Sequence, residues 1–195
     1  TDLYAAPDAP EVARDLDWLK AECRAFAADY EGKLAGLDAA GLLRCVERNE
    51  AIERVAGRLM SFAGLRYYQD TTDAERAKFL SDVQEKITDD TTPLVFFTLE
   101  INRLPEDHLD ALFAENAALA RYKPVFDRIR KMKPYQLSDE LEKFLHDQSV
   151  VGASAWNKLF DETIAGLEFE IDGEKQGIEA TLNLLSEQDR ATREK

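Results

Sequence analysis

The chain has 195 residues, with 39 Asp and Glu against 25 Lys and Arg, a formal net charge of −14. That charge opposes nucleic-acid backbones and anionic membranes, because phosphate contacts need clustered cations. A hydrophobic content of 45% supports one substantial core. No run approaches the ~20 apolar residues that span a bilayer and no charged-then-apolar leader precedes Leu3, so the chain is expected to be cytoplasmic.

The elements expected are mostly long helices. Pro10 suits a first helical position, and Val12, Leu16, Leu19, Cys23, Phe26 and Tyr30 follow at three- and four-residue steps until Gly32 and Gly36. Asp38 is placed to cap the next helix, whose Leu42, Val46, Val55, Leu59, Phe62 and Leu65 run to Tyr68 without a proline; Gly57 and Gly64 on it would permit close approach. Such length favours an antiparallel hairpin of long helices. Thr72 and Asp73 begin a third helix carrying Phe79, Leu80, Val83 and Ile87, which Pro93 interrupts near Asp89 to Thr92. The apolar run Leu94, Val95, Phe96, Phe97, Leu99, Ile101 is read as a buried helix, because a lone internal strand there has nothing to pair with.

Further on, Leu104-Pro105-Glu106-Asp107 opens a short helix through Phe113, and Ala117 to Lys131 reads as one helix kinked at Pro124. Ser138 caps a helix through Phe144 and Leu145, and Ser154 to Ile164 supplies another. The period then shortens to two. Leu167, Phe169 and Ile171 alternate with Glu168 and Glu170, Asp172-Gly173 supplies turn chemistry, and Ile178, Ala180 and Leu182 alternate again, predicting a β-hairpin with a longish turn over 167–182. Ser186 is expected to cap a last helix reaching Lys195. The fold class expected is all-α, an elongated multi-helix lobe with this single hairpin.

No residue qualifies as catalytic, cofactor-binding or metal-binding. The acidic pairs Asp89-Asp90, Glu106-Asp107 and Asp139-Glu140 point apart on helices or favour helix starts through the dipole. His108 is expected on the surface, and His146 near a helical carbonyl end; neither has a visible orienting partner. Cys23 and Cys45, each among apolar neighbours, read as buried free thiols in a reducing compartment. Trp156, at helical spacing from Phe160, reads as a core anchor. The basic stretch Arg121 to Lys133 is helical and interrupted by Val125, Phe126 and Ile129. Neither a phosphate-binding Gly-rich loop nor a Gly-x-Ser-x-Gly elbow occurs.

One segment is more specific than its parts. Between Arg130 and Ile171 a basic turn is followed by Pro134, by Leu137-Ser138-Asp139 and a helix, then by Gly152, Ala155 and Trp156. Leu159-Phe160-Asp161-Glu162 comes next, and Leu167 and Phe169 in a strand close the series. In order and spacing this resembles the region upstream of the catalytic domain in oligoendopeptidase F, a zinc peptidase related to thimet oligopeptidase. An Asp2-Leu3-Tyr4 opening and Asp189-Arg190-x-x-Arg193 near the end extend the resemblance loosely over most of the chain.

The resemblance implies the N-terminal, channel-wall lobe of a longer clamshell enzyme that admits short peptides and excludes folded proteins. The family's chemistry needs His-Glu-x-x-His, two imidazoles on one helical face with a Glu as general base. This chain has two histidines, His108 and His146, and neither begins that pattern. Residues 1–195 are therefore expected to be a helical lobe, trimmed at both ends, whose catalytic domain lies beyond residue 195. That missing half would hold zinc, which polarises the scissile carbonyl and activates water, and would share the peptide substrate with this lobe. A full-length zinc metalloendopeptidase, inactive as this fragment, is the first reading. A stand-alone acidic helical interaction module is the alternative.

Overall fold

A computed structural model describes residues 3–194, so Asp2 of the expected opening and Lys195 at the end of the last expected helix lie outside the described residues. Pro10 stands at the start of α1, Pro10–Tyr30, where its fixed φ is already helical and its missing donor is one that no intrahelical acceptor serves. α1 buries Val12, Leu19, Cys23 and Phe26, the expected stripe, with Asp15 among them. Asp15 is tolerated because it is fully partnered: Tyr4 Oη donates to it at 2.7 Å, Arg14 Nε at 3.0 Å, and Arg58 closes the group. Tyr4 is thereby bound to both α1 and the helix that follows.

That helix, α2, is Ala39–Tyr68, and the Asp38 carboxylate caps it by accepting from the Gly41 N–H at 2.6 Å. Its buried stripe is Leu42, Cys45, Val46, Ile52, Leu59, Phe62, Ala63 and Tyr67. Leu65, expected on that stripe, is exposed, because Phe62, Ala63 and Tyr67 occupy the inward positions of the last turns. The close approach expected at Gly57 and Gly64 does not occur. A Cβ on Gly57 would meet nothing within 4 Å, and one on Gly64 only the Tyr68 ring at 3.8 Å, so neither glycine is in close contact with another helix.

The third helix, α3, is Ala74–Thr91, capped by Asp73, which accepts from the N–H groups of Glu75 and Arg76. α1, α2 and α3 pack on one another. Pro93 sits in a 3-10 turn, Thr92–Leu94, and the apolar run continues as α4, Val95–Arg103. The helical reading of that run holds, and the interruption falls where Pro93 removes a donor. Phe96 and Phe97 from α4 each place a ring 5.8 Å from that of Phe26, joining α4 to α1 in the core. The Glu100 carboxylate accepts from the N–H groups of Gly32, at 2.5 Å, and Leu34, at 3.2 Å, tying α4 to the turn between α1 and α2.

Next come α5, Glu106–Glu115, α6, Ala117–Ala120, and α7, Lys123–Arg130. The single kinked helix expected over Ala117 to Lys131 is thus two helices. Pro124, without an N–H, serves as a start signal in the first turn of α7 rather than as a kink. Arg130 donates to the carbonyl oxygens of Ile101 and Leu104, at 2.9 and 2.8 Å, satisfying acceptors that the end of α4 leaves open.

The last third contains α8, Asp139–Gln148, α9, Ala153–Ala165, the strands β1, Glu168–Ile171, and β2, Glu174–Gly177, then α10, Ile178–Asn183, and α11, Arg190–Arg193. The hairpin is tighter and shorter than the alternation predicts. Asp172 and Gly173, both at positive φ (56° and 83°), make a two-residue turn that pairs Ile171 with Glu174 directly. Ile178, Ala180 and Leu182, read as strand, lie beyond the four-residue pairing and are helical. The alternation was accidental there, because helical spacing also brings 178 and 182 to one face. Asp189, not Ser186, caps α11, by accepting from the Thr192 N–H at 2.9 Å; Ser186 falls in the preceding 3-10 turn.

Candidate functional site

Local signals mark the starts of α8 and α9. The Ser138 hydroxyl accepts from the Leu141 N–H, and Glu142 reaches back to the Leu137 N–H at 2.8 Å, so the helix start is satisfied by its own side chains. Gly152 starts α9 under a close approach: a Cβ there would stand 2.9 Å from the Gln148 carbonyl oxygen. The glycine of the Gly-x-x-Ala-Trp step is therefore needed by the backbone.

Both helices are fastened to the core by polar groups. Asp139 receives Arg103, Lys143 meets Glu31 at 3.1 Å, and Thr92 donates to Asp147. His146 Nε2 lies 3.2 Å from Thr91 Oγ1 and 3.3 Å from the Thr88 carbonyl oxygen. It does meet a helical carbonyl end, as expected, but that of α3 rather than its own, and the missing orienting partner is Thr91. Lys158 of α9 donates to Ser81 of α3 at 3.1 Å.

No described residue beyond Phe126 is buried. Trp156 is 71% exposed, which overturns its reading as a core anchor, and Phe160 is 65% exposed. Helical spacing shows that two residues share a face, but not whether that face meets the core. Leu141, Phe144 and Leu145 of α8, Leu159 of α9, and Leu182 and Leu185 after the hairpin are exposed as well. A soluble monomer rarely shows so many large apolar groups in one stretch.

Between this stretch and the core lies a groove of ≈ 500 Å³, walled by Met60, Gly64 and Tyr68 of α2, Leu80 of α3, and Ala155 and Asp161 of α9. A second hollow of ≈ 430 Å³, reaching Phe160, Ile164 and Ile178, shares Tyr68 and Asp161 with it. Together they run along α9. Tyr67 also lines the groove; it is 1% exposed, and its hydroxyl is buried with no hydrogen-bond partner among the described residues. Burial pushes the Tyr67 phenol up from its ordinary value, and the Asp161 and Glu162 carboxylates add to that. Tyr67 was not singled out from the sequence, although a tyrosine on the inward stripe is a polar handle that needs a partner.

The remaining chemistry-bearing residues are dispersed. His108 is half-buried on α5, not on the surface, and its Nε2 is buried with no hydrogen-bond partner among the described residues. Cys23 and Cys45 are buried free thiols pushed to about 12 by burial, as the apolar surroundings predicted. Asp90 lies in a hollow between α1 and α3 and is raised by burial, although Lys20 and Arg24 oppose this. Glu106, Asp107 and Asp139 lie in first helical turns, as dipole preferences predict. Among the described residues no group of three or more His, Cys, Asp or Glu is arranged to hold a metal ion, and no helix is long and apolar enough to cross a membrane.

Three comparisons bear on this arrangement. A family model described as Oligopeptidase F matches residues 100–169, a span that contains α8, α9 and part of the hairpin. Oligopeptidase PepF of Bacillus subtilis (strain 168) is 26% identical over 170 residues, 84% of this chain and 25% of that protein. The crystal structure of oligoendopeptidase-F from Enterococcus faecium superposes with a TM-score of 0.77 at 21% identity, covering 94% of this chain and 36% of that one. The chain thus spans about a quarter of the curated relative and about a third of the solved structure.

Proposed function

We propose, for a chain that is the N-terminal region of an oligoendopeptidase F-like peptidase, that it forms one wall of the channel in which a zinc-dependent enzyme hydrolyses short peptides. The observation that carries this reading is the exposed apolar stretch from Leu141 to Leu185 within a fold otherwise well buried. Its part from Leu141 to Phe169 lies within the segment that matches the family model, and the stretch supplies a face for the rest of a longer polypeptide. The matched relatives are several-fold longer than this chain, which leaves room for that polypeptide.

The residues present do not fit the metal. His108 and His146 lie on different helices, the thiols are buried and protonated, and among the described residues no carboxylate joins either imidazole in a ligand set. On this reading zinc and the reacting groups are supplied by residues outside this chain, in a cytoplasmic protein whose catalytic domain lies beyond residue 195. The role left to α1–α11 is to bind and to shape: they exclude folded substrates and present the groove beside α9.

The test compares the 195 residues with a polypeptide extended past Lys195 through the first His-Glu-x-x-His helix and the remainder of the reading frame. The extended protein should cleave short peptides and lose activity to a chelator, whereas the short chain should do neither. If the reading frame contains no such helix, or the extended protein stays inert with zinc supplied, the peptidase reading fails. A stand-alone acidic interaction module then takes its place.

A further inference from the structure

Three features of the groove between α2, α3 and α9 point to a ligand. Tyr67 has a buried hydroxyl with no partner among the described residues, and leaving such a group unpaired costs free energy that a ligand atom would recover. Asp161, half-buried in the same groove, makes no hydrogen bond or ion pair with any described residue. The groove's own cation is already committed, since Lys158 binds Ser81 at 3.1 Å and lies 3.9 Å from Glu162. The hollow between α1 and α3 differs. Its Asp17, Asp82 and Asp90 are interleaved with Lys20 and Lys86, and Asp82 is paired with Lys78 at 2.5 Å.

The walls define the rest of the ligand. Met60 and Leu80 offer apolar surface to an aliphatic stem, and Tyr68, 66% exposed, offers an aromatic face beside two oxygen acceptors. A carboxylate, a hydroxyl and an aromatic face around an apolar slot match a planar, multi-donor cation better than a compact ammonium. We propose that this groove is a subsite for an arginine side chain, with its guanidinium at Asp161 and the Tyr67 hydroxyl and its methylenes against Met60 and Leu80. The arginine belongs to a peptide. That identification rests on the channel-wall reading, but binding at the groove does not require hydrolysis.

The experiment titrates N-acetyl-arginine amide into the 195-residue chain and follows backbone amide resonances by NMR. N-acetyl-citrulline amide, which keeps the shape without the charge, and N-acetyl-lysine amide serve as comparisons. Shifts should concentrate on residues 60–68, 80–84 and 154–161, with arginine bound at least about tenfold more tightly than citrulline. Asp161→Asn should abolish that preference, and Tyr67→Phe should weaken arginine binding a few-fold while leaving thermal stability unchanged or higher. Equal binding of arginine and citrulline overturns the proposal, as do shifts elsewhere on the chain or an Asp161→Asn variant that binds as before. Lysine binding as tightly as arginine overturns the guanidinium assignment. A chain that binds arginine while the extended polypeptide lacks peptidase activity would separate this site from the channel-wall reading.

Discussion

Replacing Phe26 and Trp156 in turn by alanine separates the core from the surface that the fold leaves open. Phe26 is fully buried, and its ring lies 4.9 Å from Tyr30, 5.8 Å from Phe96 and 5.8 Å from Phe97. Its neighbours come from two helices whose positions are fixed by the Glu100 ties, so the hole left by truncation will not collapse. A buried Phe→Ala change under those conditions costs about 3–5 kcal/mol. In a domain of this size each kcal/mol lowers Tm by roughly 2–4 °C, giving a loss of about 6–20 °C. Trp156 carries a larger ring but is 71% exposed, and surface changes stay within about 0.5 kcal/mol, or roughly 2 °C at most. Thermal unfolding followed by far-UV circular dichroism measures both. Equal losses would refute the division, because the indole would then be as buried in solution as the phenyl ring.

Other expectations follow from the same geometry. With both thiols pushed to about 12, a thiol reagent at mildly alkaline pH should modify neither Cys23 nor Cys45 in the folded chain and both in denaturant; a fast native reaction would contradict their burial. Asp15 is raised by burial but lowered more by Tyr4, Arg14 and Arg58, so its folded value lies below the unfolded one. Its contribution is then present above the unfolded value of about 3.9 and lost as pH falls through the folded value, and Asp15→Asn should flatten the acid limb of the stability curve. An unchanged acid limb would exclude that linkage. The apolar face of α8 and α9 should bind a hydrophobic dye or drive self-association at high concentration, and a monomeric chain with no dye binding would leave that face without a role.

The helices were legible because their signals are local. Pro10, Asp38, Asp73 and Ser138 each act within one turn, and the stripes of α1 and α2 repeat often enough to fix a face. The hairpin's turn was legible for the same reason, since Asp172-Gly173 is a pair suited to positive φ. What failed was inference at long range. Ile178 and Leu182 gave the same residue spacing for strand and helix, and only the ladder's end at Gly177 separates them. The histidine contacts were equally hidden, because His146 meets Thr88 and Thr91 across 58 and 55 positions of chain.

Trp156 shows why the candidate site in particular escaped. Amphipathic spacing says that a helix has an apolar face, and in a complete domain that face goes inward because burying it is the main favourable contribution to folding. α9 obeys the spacing but not the consequence: Trp156, Leu159 and Phe160 are exposed, while Ala155, Lys158 and Asp161 line the groove against the core. The helix turns its less apolar side inward, so its larger residues are left for a surface that these residues do not provide. Tyr67 makes the complementary case from the core side. It ends the buried stripe of α2 and lines the same groove, its buried hydroxyl without a hydrogen-bond partner among the described residues. A sequence pattern assigns each residue to a face, and the site lies where two helices meet faces that their patterns alone would not have joined.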